Sequence, residues 1–461
     1  MVVTPTLKAA KVAAAEVGTA TASAAWLAFQ HGWRWNDDGA WTRLTSGQTD
    51  PVTGVPYAGP QETAQLTAGD LLVVDEAGML DQDTARALLT VADEAGARLA
   101  LLGDRNQLAA VGRGGVLGLA AGQVDPTAHL VLDGVHRFVR TDQTGRTAPD
   151  VEYAELSLAM RTGEDPGAVF NALMARGHIR LHADSAALQA ALAAMTAAHH
   201  RDSERVAVVV DTREQAAELG AAIRDRLVAD GRVDDAQVAV TDAGQRIGAG
   251  DRIATRRNDR DLGVANRDVW TVTAIGHGGD LAVIPAGVTP TDAVPSGVTP
   301  AGERVLPAGY VTSHVELAYA STAHGAQGDT VAAAHLVVGE HTGAAAAYVG
   351  MTRGRTANTA HLITTDPADA REQWIAVFSC DRTDLGPGHA AQLAAAEAAR
   401  YAAPRPLGQL LADLHAAWTV ECAVSTGWPS WSRGATCSAR PWRWRRPAPA
   451  SWPGWRTGPG T

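Results

Sequence analysis

The stretch Leu71-Leu72-Val73-Val74-Asp75-Glu76-Ala77-Gly78-Met79 decides how the first part of the chain folds. Its four apolar residues predict a buried strand of a parallel sheet, because strands covered on both faces read as continuous apolar runs. The strand ends in two adjacent carboxylates, at the edge where open α/β sheets bind their ligands. One carboxylate can hold Mg²⁺ on a nucleotide, and the other can orient an attacking water. The pair therefore predicts half of an ATPase site.

The other half of such a site is a phosphate-binding loop of the form G-x-x-x-x-G-K-[ST]. The chain has only two lysines, Lys8 and Lys11, and neither follows a glycine-rich run. We therefore expect the chain to supply the carboxylates of the site, Asp75 and Glu76, and not the phosphate cradle.

Composition sets the broad class of the protein. With 461 residues, 46% hydrophobic and 19% charged, the chain is typical of a globular protein with several domains. The net charge of −11 argues against a protein that coats DNA through bulk positive charge, although local arginine patches can still bind phosphate. We find no apolar run long enough to span a membrane, no signal pattern, and no close-spaced cysteine pair, which favours a cytoplasmic location.

Alternating strand and helix patterns predict a mainly parallel α/β fold. Residues 26–68 are rich in Trp, Gly and Pro and predict a loop or hairpin insertion. Short strands and turns between about 240 and 310 predict a small β-barrel-like insert. The last ~60 residues, crowded with Trp, Arg and Pro, follow no structural period, and we interpret them as disordered or out of frame rather than as a binding arm.

Three further motifs carry chemistry. A predicted strand ends in Gly103-Asp104-Arg105-Asn106-Gln107-Leu108. There the Gln107 side chain could sense the γ-phosphate and link it to bound nucleic acid. The stretch from Tyr319 to Thr330 is rich in small residues, and its side chains Thr322, His324 and Gln327 can bond to phosphate or sugar. Arg353 follows a predicted helix and suits an arginine finger reaching across a domain cleft, although a lone arginine is more often a surface residue.

In this order and spacing the motifs resemble the motor of superfamily 1 DNA helicases of the RecD-like 5′→3′ branch, over about residues 1–365. The resemblance implies that Asp75 holds Mg²⁺, Glu76 positions the water, Gln107 lies in motif III, and Arg353 is the motif VI finger. It further implies that Arg137, in Val135-His136-Arg137-Phe138, touches the γ-phosphate. The DNA-contacting residues it implies are Thr4, Pro5 and Thr6 of motif Ia, and Thr322, His324 and Gln327 of motif V.

Within that group the chain is most similar to the helicase part of TraA-type (MobF-class) conjugative relaxases. The supporting runs include Trp33-Arg34-Trp35-Asn36-Asp37-Asp38-Gly39 and Gly250-Asp251-Arg252-Ile253. In this family the Walker A loop and the relaxase domain lie upstream of motif Ia. We therefore expect the chain to be an internal or truncated segment whose partners are single-stranded DNA and the missing upstream part, and whose cofactors are ATP and Mg²⁺.

The resemblance also predicts the domain plan. Two RecA-like domains with parallel sheets are expected, the first of them incomplete, together with an SH3-like β insert. The predicted bounds are 1–135 for domain 1A with its insertion at 26–68, 136–240 plus 311–365 for domain 2A, 241–310 for the insert, and 366–461 for a helical segment and tail.

Two other functions stay open at this point. The chain could be a non-catalytic single-stranded-DNA-binding module that kept its shape and lost turnover. It could also be a RecD-like subunit of a recombination nuclease complex, although the run from Trp33 to Gly39 favours a conjugative relaxase over that reading.

Overall fold

The computed structural model describes residues 1–36, 38–110, 113–132, 134–141, 144–201, 205–259, 261–286 and 302–379, with residues 395, 411, 412, 414, 415 and 418. The chain divides into two compact units, Met1–Ala394 and Ala395–Thr461, and all features below belong to the first. The Trp-, Arg- and Pro-rich tail predicted for the end of the chain lies outside the described residues. Within the described part, no helix combines the length and the apolar character that a membrane crossing needs.

The secondary structure alternates strands and helices over most of the first unit. The strands in chain order are β1 Val2–Thr4, β2 Thr21–Ser23, β3 Trp33–Trp35, β4 Trp41–Arg43, β5 Leu71–Val74, β6 Arg98–Leu101, β7 Val139–Thr141, β8 Thr147–Pro149, β9 Ile179–His182, β10 Val206–Val210, β11 Val238–Val240, β12 Arg246–Gly248, β13 Arg252–Thr255, β14 Val269–Ile275, β15 Leu281–Pro285, β16 Arg304–Leu306, β17 Val315–Leu317, β18 Ser321–Thr322, β19 Val331–Val337 and β20 Gly354–Ile363. The helices are α1 Leu7–Val17, α2 Ala24–Gln30, α3 Gln82–Ala95, α4 Val116–Gln123, α5 Val151–Thr162, α6 Pro166–Ala175, α7 Ser185–Arg201, α8 Arg213–Ala229, α9 Ala308–His314, α10 Ala323–Ala326, α11 Ala344–Gly350 and α12 Pro367–Ser379.

Two parallel sheets organise the fold. The first has four strands in the order β2-β1-β5-β6, and the second has five in the order β18-β10-β19-β20-β9. Every pairing in both sheets is parallel. Each sheet has its own apolar core, which includes Leu72 and Val74 in the first and Leu336 and Leu362 in the second. The predicted α/β class with two parallel sheets is confirmed.

The β insert is a separate antiparallel sheet with the order β16-β15-β14-β13-β17. It buries alternate residues of its longest strand, such as Trp270 and Val272, as expected for a sheet with one covered face. Its last strand is Val315–Leu317, so the sheet continues beyond the predicted bounds of 241–310, because the chain returns to β13 after helix α9.

Several helices begin at a residue whose side chain caps the first turn, and some of them end at a glycine. Helix α1 begins where the Thr6 hydroxyl accepts a hydrogen bond from Ala9 N at 3.2 Å, and it ends at Gly18 in the left-handed conformation with φ 63°. Asp81 caps α3 in the same manner, and Thr212 with Gln215 forms a capping box on α8.

The insertion at 26–68 is more ordered than its composition predicted. It includes most of helix α2 and the hairpin of β3 and β4, where a loop or hairpin alone was expected. The Arg34 guanidinium forms two bonds to Asp50, at 3.0 and 2.6 Å, and both side chains are 5% exposed. Arg34 also donates to Phe29 O and lies over the Phe29 ring at 3.5 Å. Arg34 therefore joins the hairpin to helix α2 through Phe29 and to the loop after the hairpin through Asp50.

A chain of histidines crosses one face of the second sheet. The Nε2 atom of His182 lies 2.9 Å from Nδ1 of His361, whose Nε2 lies 3.1 Å from Nδ1 of His335. His335 is 5% exposed and His361 is fully buried. Burial lowers the pKa of His335 from 6.5 to about 4 and, with the neighbouring histidines, lowers the pKa of His361 to about 2. The folded protein therefore holds both rings neutral, while the unfolded chain protonates them near pH 6.5.

This difference predicts that acid destabilises the fold in a defined window. The contribution of His335 to the free energy of unfolding is fully present above pH 6.5, the pKa of the histidine in the unfolded chain. It is lost as the pH falls from about 6.5 toward 4, because the unfolded state binds a proton that the folded state does not. For His335 alone the loss at pH 5 relative to pH 7 is about 2 kcal/mol. Urea unfolding at several pH values measures it. His335→Gln should flatten the slope, and the exposed control His277→Gln should leave it unchanged; equal slopes in all three proteins would contradict the prediction.

Candidate functional site

The two carboxylates lie at the end of β5, as the sequence predicts. Asp75 N donates to Val3 O of the neighbouring strand at 2.9 Å, and Glu76 N donates to Oδ1 of Asp75 at 2.9 Å. Glu76 has φ 55°, a left-handed conformation that residues with a side chain rarely adopt. Such strained positions concentrate at functional sites, where the surrounding structure imposes them.

Two glycines bring the turn after β5 against the turn after β6. A Cβ atom on Gly78 would lie 2.9 Å from Asp104 O, and one on Gly103 would lie 2.9 Å from Ala77 N. Ala77 N also donates to Leu102 O at 2.7 Å. Backbone therefore packs directly on backbone here, which places the Asp-Glu pair beside the loop that carries Gln107.

Glu76 lies near residues that are far from it in the sequence. Burial and the charge of Asp75 raise the pKa of Glu76, while Arg353, a hydrogen bond from Gln327 and Arg137 oppose this rise. Arg353 follows α11, and Gln327 follows α10. The structure thus brings together four of the predicted residues, which are separated by up to 277 positions in the sequence (353 − 76).

Arg353 and Arg137 are held by the same short segment. Arg353 is 2% exposed, and its Nε donates to Val349 O at 3.0 Å while Nη2 donates to the Thr352 hydroxyl at 3.1 Å. Arg137 Nη1 donates to Thr352 O at 2.6 Å. Burial and the neighbouring Arg137 lower the pKa of Arg353 to about 10. Two neighbouring guanidinium groups, of which Arg353 is buried and Arg137 partly exposed, favour an anion between or beside them.

Gln107 meets Gln327 at the boundary between the two halves. The Nε2 atom of Gln327 lies 3.5 Å from Oε1 of Gln107. Gln327 also lowers the pKa of Glu76, so this side chain lies near both the carboxylate and the loop after β6. The sequence analysis predicted Gln327 to contact DNA. In the structure it lies next to the carboxylate site.

Asp104 joins the loop after β6 to two helices, a role that the sequence motifs did not predict. Its Oδ1 accepts from Arg161 Nε and its Oδ2 accepts from the Tyr348 hydroxyl, both at 3.1 Å. Burial and Asp104 raise the pKa of Tyr348 to about 12, so the phenol keeps its proton and donates. Arg161 lies on α5 and Tyr348 on α11, and no local sequence signal could have paired them with the loop after β6.

A cavity of about 1040 Å³ lies beside the carboxylate site. Its walls come from the start of the chain, the 26–68 insertion, the β insert and the segment around α10. They combine aromatic rings, amides and basic groups, a combination that binds single-stranded nucleic acid through stacking and phosphate contacts. The lining residues that show this are Lys8, Lys11, Trp26, Phe29, Trp35, Asn258, Asn266 and Arg267.

The residues predicted to contact DNA divide into two groups. Pro5, Thr6, His324 and Gln327 line this cavity. Thr4 is fully buried and donates to Thr6 O at 2.7 Å, so its side chain shapes the turn before α1 and cannot reach a bound strand.

Thr322 lies outside the wall of this cavity. It is on β18, in register with Val210 of the neighbouring strand, and it directly precedes α10. Its contact with DNA stays a prediction.

Mg²⁺ fits this arrangement only together with a nucleotide. Among the described residues no group of three His, Cys, Asp or Glu side chains could hold a metal ion. Mg²⁺ commonly uses one or two carboxylates together with substrate phosphates, and Asp75 at the strand end meets that requirement.

Residues 1–184 match the protein family described as AAA domain. The multifunctional conjugation protein TraI of Escherichia coli K12 is 33% identical over 114 residues, which cover 23% of this chain and 6% of TraI. The conjugal transfer protein TraA of Rhizobium radiobacter is 25% identical over 289 residues, 62% of this chain and 24% of TraA. The matched residues thus span far less than two thirds of either relative. These matches confirm the resemblance to conjugation proteins.

Solved structures with a similar arrangement include Pif1 helicases. A crystal structure of Bacteroides Pif1 bound to ssDNA superposes with a TM-score of 0.43 and 15% identity, over 81% of this chain and 86% of that one. Pif1 helicase from Candida albicans gives a TM-score of 0.37 and 13% identity, over 65% of this chain and 73% of that one.

The shared partner Asp104 gives a prediction on stability. Asp104→Asn should lower the free energy of unfolding by about 1–3 kcal/mol, because it weakens bonds to both Arg161 and Tyr348. Tyr348→Phe should cost only about 0.5–1.5 kcal/mol, since it removes one bond. In the double variant the costs should not add, because the Tyr348 bond is shared. Urea unfolding of the three variants measures this, and strictly additive costs would show that the two side chains do not interact.

Proposed function

We propose that this chain carries the catalytic carboxylates, the arginines and the strand-binding channel of an ATP-dependent DNA helicase or translocase that acts on single-stranded DNA. The channel is the cavity of about 1040 Å³ beside the carboxylate site. The observation that carries the proposal is the meeting of Glu76, at the end of β5, with Arg137 and Arg353 from the other half of the molecule. Nucleotide-driven motors place ATP at such a junction, so that hydrolysis changes how the two halves fit together.

Each residue has a distinct role in this proposal. Glu76 orients the attacking water, and its raised pKa brings it closer to the range where a carboxylate accepts a proton at neutral pH. Arg353 and Arg137 stabilise the charge that develops on the transferred phosphoryl group, a contribution of about 10³–10⁵ in rate for an arginine finger. Asp75 would hold Mg²⁺, which neutralises phosphate charge when bound.

The contact between Gln107 and Gln327 supports a link between nucleotide and strand. Gln327 lowers the pKa of Glu76 and also lines the channel. We expect a change at the carboxylate site to reach the channel wall through this side chain. We assign residues 1–135 to one moving lobe and residues 136–240 with 311–365 to the other, with the β insert attached to the second.

The missing phosphate loop defines the expected activity of these residues. The sequence contains no G-x-x-x-x-G-K-[ST] run, and both of its lysines lie on α1. We propose that the chain binds single-stranded DNA and, without a phosphate cradle, does not turn over ATP by itself. The same observation favours a second candidate, a non-catalytic strand-binding module.

ATP turnover by the purified chain, with and without single-stranded DNA, tests the catalytic part of the proposal. We expect no turnover above that of Glu76→Gln, because the β- and γ-phosphates lack their cradle. DNA-stimulated turnover that Glu76→Gln abolishes would overturn the expected inactivity, and would show that other residues of this chain hold the phosphates.

Strand binding is tested through the channel aromatics. Trp35 lines the channel, is 42% exposed, and stacks on Trp41 at 4.7 Å. Trp35→Ala should weaken binding of an oligo-dT strand about tenfold, because one base–aromatic stack contributes about 1–3 kcal/mol. Trp41→Ala is the matched control, since it removes the same ring pair but does not line the channel. Fluorescence anisotropy measures both, and equal weakening would contradict a stacking role for Trp35.

A further inference from the structure

The only two lysines of the chain both line the channel and form ion pairs with carboxylates next to its wall. Lys8 Nζ lies 2.6 Å from Oδ1 of Asp329, and Lys11 Nζ lies 2.6 Å from Oδ2 of Asp268. Residues three apart on a helix share a face, so both lysines leave α1 on its channel side. Asp329 follows α10 and Asp268 precedes β14 in the β insert, so the two pairs join three separate parts of the wall.

Asp268 is better fixed than its partner Lys11. Oδ2 of Asp268 also accepts from Ala265 N at 2.8 Å, and the side chain is 13% exposed. The Lys11 side chain is 47% exposed, and a lysine side chain has four rotatable carbons in its stem. Lys8 and Asp329 are exposed to similar extents, 21% and 18%, so both of these side chains also border solvent.

A bound strand would offer these lysines a competing acceptor. Phosphate oxygens accept from an ammonium group as carboxylate oxygens do, and both lysines already line the channel in which we place the strand. A partly exposed ion pair contributes little net stability, so exchanging a carboxylate for a phosphate is feasible. Once a phosphate lies beside Lys8 or Lys11, its charge repels the nearby carboxylate.

We propose that Lys8 and Lys11 are the backbone-phosphate contacts of the single strand, and that Asp329 and Asp268 occupy them when no strand is bound. The two ion pairs act as an acidic latch at the edge of the channel, which a nucleic-acid backbone opens by competition. This inference rests on the proposed strand-binding function and adds to it the residues that contact phosphate and the groups that compete for them.

The latch predicts effects of opposite sign for the two sides of each pair. Lys8→Gln and Lys11→Gln should each weaken oligo-dT binding and reduce the slope of log affinity against log salt by about 0.7, as expected when one phosphate contact to a single strand is lost. Asp329→Asn and Asp268→Asn should instead tighten binding by about two- to tenfold, since the competing carboxylate is gone. Fluorescence anisotropy at several salt concentrations measures both effects.

Matched controls separate the latch from a general effect of charge. Arg232→Gln and Glu218→Gln remove one exposed charge of each sign away from the channel, and each should change affinity less than twofold. In the double variant Lys8→Gln with Asp329→Asn, the gain from the aspartate change should disappear, because that carboxylate has no lysine left to occupy. Lys8→Arg should retain binding, which distinguishes loss of charge from loss of fold.

The possible failures can be told apart. If the unaltered chain does not bind oligo-dT, the proposed strand-binding function fails, and the latch fails with it. If the chain binds but the aspartate variants bind no tighter, or bind tighter even without the lysine, the latch is overturned while strand binding stands. Unchanged affinity and salt slope in both lysine variants would overturn the assignment of the phosphate contacts.

Discussion

The arrangement depends on one constraint: the carboxyl end of β5 must meet the segment after α11 closely enough for Glu76 to share its surroundings with Arg353 and Arg137. A partly buried carboxylate such as Glu76 is costly unless nearby positive charge compensates it, and the buried Arg353 is costly unless negative charge compensates it. Each group therefore reduces the cost of burying the others. The polar groups around them, Thr352 and Gln327, are in turn held by this arrangement.

The same junction explains why the channel lies where it does. Asp104 fixes the loop after β6 against Arg161 and Tyr348 of the second half, and this loop carries Gln107. Gln107 contacts Gln327, which lies in the channel wall. A short series of polar contacts therefore runs from the carboxylate site to the channel. Few groups stand between the carboxylate site and the channel.

Sequence reasoning succeeded where the deciding signals are local. The strand at Leu71–Val74 follows from its apolar run, and helices α1 and α3 follow from a capping residue at one end and a glycine at the other. The Asp-Glu pair was located correctly because a strand end is visible in the sequence itself.

Sequence reasoning failed where the deciding partner is distant. Helix α2 lies in a segment rich in Trp and Gly and is held to the hairpin by the contacts of Arg34 with Phe29. The bonds of Asp104 and the lysine ion pairs join residues between 57 and 321 positions apart, and no periodicity or spacing encodes them. Thr4 was placed by motif position, which cannot distinguish a threonine that faces a ligand from one that bonds to its own turn.

A double-variant cycle between Glu76 and Arg353 tests the central claim most directly. The free energy of unfolding would be measured by urea for Glu76→Gln, Arg353→Gln and the double variant. If the two groups compensate each other, the double variant should be more stable than the sum of the single effects predicts, by at least about 0.5 kcal/mol. Effects that add within about 0.3 kcal/mol would mean that the two charges do not share a site, and would contradict the account.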